Sequence, residues 1–441
     1  MLKTPCALRP LLGHARALAA AVLLLPLLAA CATAPGTGRT IFTGGLSEEG
    51  EADLGRQEHP KVLALYGGSY DDAELNRYVS SIGNFLVQTS ERPDLKFTFT
   101  ILDTPVVNAF ALPGGYVYIT RGLLALATNE AEVAGVLGHE IGHVTARHTA
   151  ERYGQTMAAN IAGIGLGVLL GGPAAQAGGT LGALLVRSYS REQEFEADML
   201  GGRYLARAGY DTGAMAGFLS QLQAHSQLEA ALAGQPEKAD SFSIMQTHPR
   251  TADRIERALQ QAGAVPVADP MVAQDVYYDE IDGMIFGDKP DEGYIRGRRF
   301  AHPKLKFTFE VPSGFRLYNQ SQAVIARDSE GTAAIQFDRA PKPYGGSMTD
   351  YLTEVWGAQV RLTNIEAMTV NGLAGATAAV SNAGKDYRLV ALRYNADTIY
   401  RFIFASASNR TAALNLPFRE TTYSFRRLSD AEAAALKPRR L

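Results

Sequence analysis

Three of the eight histidines in this 441-residue chain lie within ten residues of one another: His139, His143 and His148. The sequence from His139 to His143 reads H-E-x-x-H, with Glu140 beside the first histidine. On an α-helix, side chains four residues apart differ by about 40° around the axis, so both imidazoles can reach one metal ion. The glutamate can address a water molecule on that ion. The spacing predicts a zinc site with a general base; a histidine pair on a solvated helix face is the structural alternative.

A catalytic zinc ion needs a third protein ligand if its fourth position is to stay open for water. A metzincin would carry a histidine six residues beyond His143, but Thr149 stands at that position. On one continuous helix His148 would lie about 140° away from His143, so we expect His148 to be a structural residue and not a ligand. The third ligand must therefore come from another part of the chain.

Glu194 is the best candidate for that ligand. It begins the sequence E-F-E-A-D, in which Asp198 follows one helical turn later on the same face. Asp198 can accept the second ring proton of a ligand histidine and so fix its tautomer. Glu192 and Glu196 are the competing carboxylates, and an acidic helix face in contact with solvent is the structural alternative.

Capping signals mark the two helices that must position these residues. A capping box at Asn129 and Glu132 opens the first, which the pattern extends to about Arg152. A second capping box at Ser190 opens a helix that runs to about Ala208. The apolar residues of the first helix form one stripe: Val133, Leu137, Ile141 and Val144. The motif histidines project roughly opposite that stripe, so the helix can pack by one face and offer imidazoles from another.

The surrounding segments indicate a mainly helical domain with a small sheet. Helical spacing over residues 47–90 predicts two helices, and alternation predicts strands over 96–102 and 116–120. Residues 108–111 between them are expected to be extended. Further helices follow to about residue 261.

The segment 153–186 contains no charged residue over 34 positions. The sequence Gly-Gly-Pro at 171–173 interrupts it, and the 13 residues that follow would span about 20 Å as a helix, which is shorter than a hydrocarbon core of about 30 Å. A single crossing would also separate Glu194 from His139. We therefore expect a small-residue helical hairpin that does not cross the membrane, although it can touch lipid or a partner.

The amino terminus predicts export. Residues 1–16 carry three basic residues and no acid, residues 17–30 are apolar, and Leu-Ala-Ala at 28–30 precedes Cys31. This pattern is typical of a lipoprotein signal peptide (1–30), with Cys31 as the lipidated residue. An ordinary cleaved signal is the alternative. Because Ala32 is not aspartate, resemblance to Gram-negative sorting predicts the periplasmic face of the outer membrane.

Composition excludes several classes of function. Lys plus Arg total 42 and Asp plus Glu total 45, a formal charge of -3, so no basic excess indicates a nucleic-acid partner. Two cysteines, Cys6 and Cys31, exclude a disulfide scaffold and a thiolate-rich metal site. The length predicts more than one domain.

The predicted organisation is α+β. A flexible tether (31–46) leads to a helical domain with a small sheet (47–265), and a linker (266–300) leads to a separate α+β domain with an antiparallel sheet (301–430). A basic tail (431–441) is expected to be a solvated end. The second domain has short alternating strands and two predicted helices, near 348–360 and 410–421. It has no cysteine and no histidine after His302, so we expect no catalytic cluster there.

Several motifs together carry a family resemblance over about residues 47–258. They are N-A-F-A-L-P-G-G at 108–115, G-L-L at 122–124, H-E-x-x-H at 139–143, S-R at 190–191 with E-x-x-A-D at 194–198, and T-H-P at 247–249 with Arg254. Through them the chain resembles family forty-eight of the metallopeptidases, which includes HtpX-type heat-shock proteases, the CaaX-processing endopeptidase and the periplasmic BepA and LoiP proteases.

The resemblance implies a gluzincin site with one zinc ion per chain. His139, His143 and Glu194 would hold the zinc, and Glu140 would be the base. His248 and Arg254 occupy positions that line the site in relatives, where the histidine can also hold the enzyme shut. We expect both to be catalytic residues, with His248 or Arg254 stabilising the oxyanion. As plain residues, His248 and Arg254 could be a helix cap and a surface arginine.

The resemblance also implies a place for substrate. The segment Asn108, Ala109, Phe110 and Ala111 would be the edge on which substrate backbone pairs as an added strand. A buried sheet strand is the structural alternative, and it is compatible with pairing.

The expected function is a lipid-anchored zinc endopeptidase that hydrolyses misfolded or misassembled envelope proteins. The alternative is an envelope assembly chaperone or adaptor whose zinc site is latent or structural. Expected partners are unfolded proteins, the membrane and envelope assembly machinery. BepA-type relatives carry helical repeats after the protease, whereas no such period occurs here. The strand pattern of 301–430 instead resembles a PsbP/Mog1-like sandwich.

Overall fold

A computed structural model of the chain describes residues 31–157, 188–232, 235–241, 248, 251–320 and 322–441. The predicted signal peptide and the part of the uncharged segment beyond residue 157 lie outside the described residues. Among the residues that are described, no helix combines the length and apolar character that crossing a bilayer requires.

The first part of the chain is mainly helical, in keeping with the predicted class. Its helices are α1 (Glu48–Leu65), α2 (Ala73–Thr89), α3 (Arg121–Leu124), α4 (Glu130–Thr145), α5 (148–157), α6 (Arg191–Ala208), α7 (Ala214–Leu232), α8 (Thr251–Ala264) and α9 (Gln274–Ile281), with a 3-10 turn at Pro236–Ser241. Its strands are β1 (Cys31–Thr33), β2 (Thr40–Phe42), β3 (Thr98–Leu102), β4 (Ala109–Leu112) and β5 (Tyr116–Thr120). Strand β5 is central, parallel to β3 and antiparallel to β4.

Helix α4 is the centre of this part, and all of its residues are buried. It packs closely against α6 because glycines face each other at the crossing. A Cβ atom on Gly142 would come within 2.9 Å of the Ala197 carbonyl oxygen, and one on Gly201 within 2.8 Å of His139 N. The absence of side chains at these positions lets the two backbones approach, which brings Glu194 of α6 beside the histidines of α4.

The prediction that one helix runs from 129 to about 152 is wrong. Helix α4 ends at Thr145, Arg147 has a left-handed backbone with φ of 58°, and α5 begins at 148. The Arg147 guanidinium is buried, donates from Nε to Glu51 over 2.7 Å and also donates to the Leu46 carbonyl over 3.0 Å. These contacts with the chain upstream stabilise a bend that local sequence does not indicate, and the bend changes where His148 lies.

The two predicted capping boxes differ in outcome. At the start of α6, Ser190 and Gln193 form both reciprocal hydrogen bonds. At the start of α4, Asn129 accepts from Glu132 N, but the Glu132 carboxylate accepts from Thr128 N instead of returning to Asn129. The cap residue is the predicted one in both cases, so both helices begin where the sequence predicts.

The prediction of a flexible tether over 31–46 is also wrong. Strands β1 and β2 pair as an antiparallel hairpin, and Ala34 and Ile41 are buried. The segment then runs against α5, where a Cβ atom on Gly154 would lie 2.4 Å from the Phe42 carbonyl oxygen. Contacts with helices distant in sequence thus hold this segment in place.

The predicted linker over 266–300 is folded. Helix α9 contributes Tyr277 and Ile281 to the core of the helical part, and Met284 joins them. Lys289 donates to Asp103 over 2.8 Å. The Gly, Pro and Asp content that indicated a linker belongs to turns between short elements that are anchored by a few large apolar residues.

The second part of the chain is built from antiparallel strands, and the predicted α+β class is confirmed. The strands are β6 (Ile285–Phe286), β7 (Tyr294–Arg296), β8 (Arg299–His302), β9 (Phe307–Glu310), β10 (Phe315–Asn319), β11 (Val324–Asp328), β12 (Ala333–Arg339), β13 (Thr363–Val370), β14 (Leu373–Asn382), β15 (Lys385–Asn395), β16 (Thr398–Ala407), β17 (Arg426–Arg427) and β18 (Arg439–Arg440). One sheet has seven strands in the order β10-β11-β12-β16-β15-β14-β13, and another has the order β17-β9-β8-β7. The helices are a short turn at Met348–Asp350, a π-helical turn at Tyr351–Trp356, α10 (Thr411–Ser424) and α11 (Asp430–Ala435).

The basic tail is exposed to solvent, as predicted, but its backbone is paired. Arg439 and Arg440 pair with Phe286 and Ile285 as the two-stranded sheet β18-β6, and Leu441 N donates to the Met284 carbonyl over 3.0 Å. The side chains of Arg439 and Arg440 stay exposed, so charge alone did not reveal the backbone pairing.

Candidate active site

Four buried side chains from three places in the chain converge on one point. His139 and His143 come from α4, Glu194 from α6, and His248 from the segment before α8. One ligand atom from each residue lies within 4.8 Å of the others. His139 Nε2 is 3.0 Å from His143 Nε2 and 3.2 Å from His248 Nδ1, and His143 Nε2 is 3.5 Å from Glu194 Oε1. The sequence predicted His139, His143 and Glu194 as the ligands and His248 as a residue that lines the site.

This set of atoms fits a zinc ion. Imidazole nitrogen and carboxylate oxygen are zinc ligands, and four of them around one point match its preferred coordination number. Burial lowers the pKa of His143 well below its ordinary value, although a hydrogen bond with Glu194 opposes this, so His143 is the neutral imidazole that ligation needs. Burial would raise the pKa of Glu194, but His248 and Arg254 hold it well below its ordinary range. Glu194 is therefore an ionised ligand.

Glu140 lies beside the cluster, and its Oε1 is 3.7 Å from His248 Nε2. It is buried, and among the described residues neither carboxylate oxygen has a hydrogen-bond partner. Burial raises the pKa of Glu140, although the His248 and His139 imidazoles act in the opposite direction. A buried carboxylate with a raised pKa and free lone pairs can accept a proton from a water molecule held at the cluster.

Asp198 and Arg254 form the layer behind His139. His139 Nδ1 is 2.8 Å from Asp198 Oδ1, and Arg254 donates to the same carboxylate from Nε over 2.7 Å and from Nη2 over 2.8 Å. Arg254 Nη1 also lies 2.7 Å from Glu194 Oε2. Arg254 thus binds the ligand Glu194 and also Asp198, which holds the ligand His139, and its geometry suits a positioning residue.

Two residues behind His143 have roles that differ from those predicted: His148 was expected to be structural and Glu196 to compete for the metal. Because the helix bends at Arg147, His148 turns back and its Nδ1 lies 2.8 Å from His143 Nδ1. His148 Nε2 in turn lies 3.2 Å from Glu196 Oε2. Burial would raise the pKa of Glu196, but hydrogen bonds from His148 and Thr37 and the charge of Arg39 lower it to about 2. His148 is indeed not in the metal group, but the predicted angle on a continuous helix was wrong.

Tyr189 is a further residue that no sequence signal revealed. Its ring stacks on the His143 imidazole with centroids 3.8 Å apart, and the Arg152 guanidinium lies 4.4 Å from the tyrosine centroid on the Tyr189 ring face. Tyr189 stands directly before Ser190, the residue that caps α6. No motif in the sequence marks this tyrosine as part of the site. It restricts the orientation of His143 from the face of the ring.

The predicted substrate segment lies at one edge of the three-stranded sheet. Strand β4 pairs with β5 on one side only, and its four residues, which include Ala109, Phe110 and Ala111, are buried. Asn108 is half-buried and exchanges backbone and side-chain hydrogen bonds with Thr120. The strand therefore serves the core and is also the outer strand of its sheet.

An apolar pocket opens beside Glu140 between α4 and α7. Its apolar lining is Val136, Met215, Phe218, Leu219 and Leu222. Glu140, His139 and His248 form its polar end.

Comparison with known proteins covers this part of the chain. Residues 73–262 match Peptidase family M48. The chain is 35% identical over 223 residues to a putative beta-barrel assembly-enhancing protease of Vibrio cholerae, and the alignment covers 46% of this chain and 44% of that protein. It is 33% identical over 214 residues to the beta-barrel assembly-enhancing protease of Escherichia coli K12, covering 46% of this chain and 42% of the relative.

A mitochondrial relative aligns over the same part. The chain is 30% identical over 216 residues to the mitochondrial metalloendopeptidase OMA1 of Schizosaccharomyces pombe, covering 47% of this chain and 59% of that protein. The chain thus spans less than two thirds of the length of these relatives.

Among solved structures, cyanobacterial PsbP from Synechocystis matches 31% of this chain and 98% of its own length, with 20% identity and a TM-score of 0.25. A likeness of that size carries no argument about residues 301–430. The PsbP/Mog1-like sandwich stays a prediction.

Proposed function

We propose that the protein is a lipid-anchored zinc endopeptidase that cleaves misfolded or misassembled proteins of the cell envelope, because residues 73–262 match Peptidase family M48. The observation that carries the proposal is the buried group of His139, His143, Glu194 and His248 beside the Glu140 carboxylate, which accepts no hydrogen bond from the described residues. The family supports a zinc-dependent hydrolase. The substrate, the anchor and the location are the finer parts of the proposal.

The chain's own residues supply binding, orientation and proton transfer. When bound, zinc supplies Lewis-acid activation of a water molecule and of the peptide carbonyl. Glu140 takes the proton of the attacking water and then delivers it to the leaving amine. Asp198 holds His139 through its second ring nitrogen, and Arg254 holds Asp198 and Glu194 in place. The outer strand β4 offers backbone groups for pairing with an extended substrate.

His248 has a position from which it can close the site. Its Nδ1 lies 2.9 Å from Glu194 Oε1, which is where a fourth ligand would stand. Burial would lower the pKa of His248, but Glu194 and Glu140 raise it. Once displaced from the ligand group, the His248 imidazole would be a hydrogen-bond donor to the developing oxyanion. We expect His248→Ala to raise peptide hydrolysis if the closed form dominates. Lower activity would indicate that His248 assists catalysis.

The envelope location rests on sequence and on relatives. Cys31 follows the predicted signal peptide and is exposed. Two of the relatives are named as proteases that enhance beta-barrel assembly. We propose the same compartment here, with lipid attachment at Cys31 and unfolded envelope proteins as substrates.

The experiment that tests the proposal compares wild type with Glu140→Gln. Glutamine has the same shape but cannot accept the proton, so zinc content should stay at one per chain while hydrolysis of an unfolded outer-membrane protein is lost. Glu192→Gln is the control, because Glu192 is an exposed carboxylate on the same helix as Glu194. Hydrolysis by Glu140→Gln at the wild-type rate would contradict the mechanism.

An assembly chaperone or adaptor is the second candidate. Residues 301–430 have a core of their own, and within the described part of that domain no group of residues could hold a metal ion. A domain of this kind can bind partners without hydrolysis. Complementation of a deletion strain with Glu140→Gln separates the two candidates. Rescue would indicate that the cell needs the binding role, whereas failure would indicate that it needs proteolysis.

A further inference from the structure

The inference begins at the second ring nitrogen of His143. If His143 Nε2 faces the metal, its Nδ1 must carry the proton and donate to His148 Nδ1, 2.8 Å away. His148 then carries its proton on Nε2 and donates to Glu196 Oε2 over 3.2 Å. Both imidazoles are fully buried, so solvent cannot replace either partner. The orientation of His143 therefore depends on Glu196, two positions along the chain from a metal ligand but on a different side of the site.

Glu196 is itself held by the amino-terminal hairpin, residues 31–42. Thr37 donates its hydroxyl to Glu196 Oε1, and Arg39 Nε donates to Glu196 Oε2 over 3.1 Å. The other end of the Arg39 guanidinium binds Glu151 of α5 through two hydrogen bonds of 2.9 and 2.8 Å. Arg39 thus joins α5 and α6 on the side of the molecule behind His143.

The hairpin has a fixed seat on α6. A Cβ atom on Gly36 would lie 2.9 Å from Leu200 Cδ2, so the hairpin backbone lies in close contact with the Leu200 side chain. Arg203 donates to the Gly36 carbonyl over 3.3 Å and to Glu91 over 2.9 Å. The buried side chains of Ala34 and Ile41 add apolar contact. Packing and hydrogen bonds both fix the position from which Thr37 and Arg39 act.

We propose that the hairpin 31–42 is a positioning element of the metal site, acting on His143 through Thr37 and Arg39, then Glu196, then His148. The proposal rests on the metal site proposed above and adds a means of regulation to it. The hairpin begins at Cys31, so a force or a change of attachment at that residue acts on the segment that orients a zinc ligand. Displacement of the hairpin weakens zinc binding, and seating of the hairpin strengthens it.

Zinc affinity is the readout that tests this role. The dissociation constant for zinc is measured by competition with a chelator of known affinity, using the chain from Cys31 onward. Thr37→Val with Arg39→Gln removes both contacts to Glu196, and we expect zinc to bind about 10- to 100-fold more weakly, as for other partners of metal-binding histidines. Glu196→Gln keeps the size of the side chain and removes only its charge, and we expect a loss in the same direction.

Arg207→Gln is the matched control. Arg207 lies on the same helix α6 and donates to the Thr89 carbonyl over 2.7 Å and to Glu91 over 3.2 Å, but not to the hairpin, Glu196 or His148. We expect its zinc affinity to equal that of wild type. Equal affinity in the Thr37 and Arg39 double variant, or an equal loss in Arg207→Gln, would overturn the positioning role. Wild type that binds no zinc would overturn the proposed function and this inference together, so the two failures are distinguishable.

Discussion

The two parts of the molecule bury different kinds of side chain. The helical part encloses charged and titratable groups around α4, among them Glu140, His143, Glu194 and Asp198. The sheet part encloses aromatic rings: Phe300, Phe307, Phe309, Phe337, Tyr400, Phe402, Phe404 and Phe425. A buried charge is stable only when each of its partners is in place, whereas an aromatic core depends on volume and contact. The first part therefore holds groups that can take part in a reaction, whereas the second part is stabilised by the packing of aromatic rings.

The difference explains where each part is sensitive. In the helical part the removal of one group leaves others unsatisfied, because Arg254, Asp198, His139 and Glu194 share hydrogen bonds. In the sheet part the loss of one ring leaves a cavity, and the remaining rings keep their contacts. Matched substitutions in the two parts should separate these effects.

The largest effect is expected for His143, and the buried His302 of the sheet part provides the comparison. His143→Ala removes a metal ligand, so zinc should be lost and hydrolysis should fall about a thousandfold or more, because a metal contributes several kcal/mol to such a reaction. His302→Ala, in β8, should keep both zinc and activity. Zinc analysis and a peptide assay check the pair, and activity in His143→Ala near the wild-type level would sink the distinction.

A smaller effect is expected from Phe402→Ala in β16. Phe402 is fully buried and its ring lies 4.8 Å from the Phe337 ring and 5.2 Å from the Phe309 ring. Truncation should lower the free energy of unfolding of this part by about 3–5 kcal/mol. Denaturant unfolding measures the loss, and zinc affinity measured in parallel should be unchanged. A fall in zinc affinity would mean that the two cores act as one.

The smallest effect is a pH dependence in the sheet part. Burial lowers the pKa of His302 to about 4, although Asp291 opposes the shift. Since the unfolded chain takes up this proton near pH 6.5, the folded state should lose stability as the pH falls from about 6.5 to 4. His302 Nδ1 accepts from Leu305 N, and asparagine can replace that acceptor without titrating. In His302→Asn the slope of stability against pH over this window should be shallower; an unchanged slope would assign it to other groups.

The chemistry of the site could be predicted from sequence because its signals are local. H-E-x-x-H at 139–143 and E-x-x-A-D at 194–198 each place their residues on one helix face, and the match of residues 73–262 to Peptidase family M48 and the group of possible metal ligands agree with the predicted zinc peptidase. The capping serine of α6 and the strands over 98–102 and 116–120 are equally local, and they form where predicted.

The parts that sequence did not reveal depend on distant contacts. His148 joins the site because Arg147 adopts a left-handed backbone that Glu51 and Leu46 hold, about a hundred residues upstream. The hairpin 31–42 has the glycine and threonine content of a loose segment, and its order comes from α5 and α6. The segment 266–300 is folded through a few residues such as Tyr277 that reach a core elsewhere.

The most direct test of the central claim is anomalous diffraction from crystals of the zinc-loaded protein, measured above and below the zinc absorption edge. We predict one peak, about 2.0–2.2 Å from His139 Nε2, His143 Nε2 and a carboxylate oxygen of Glu194. A peak coordinated by Glu192 or Glu196 in place of Glu194, or no peak at the two α4 histidines, would contradict the account.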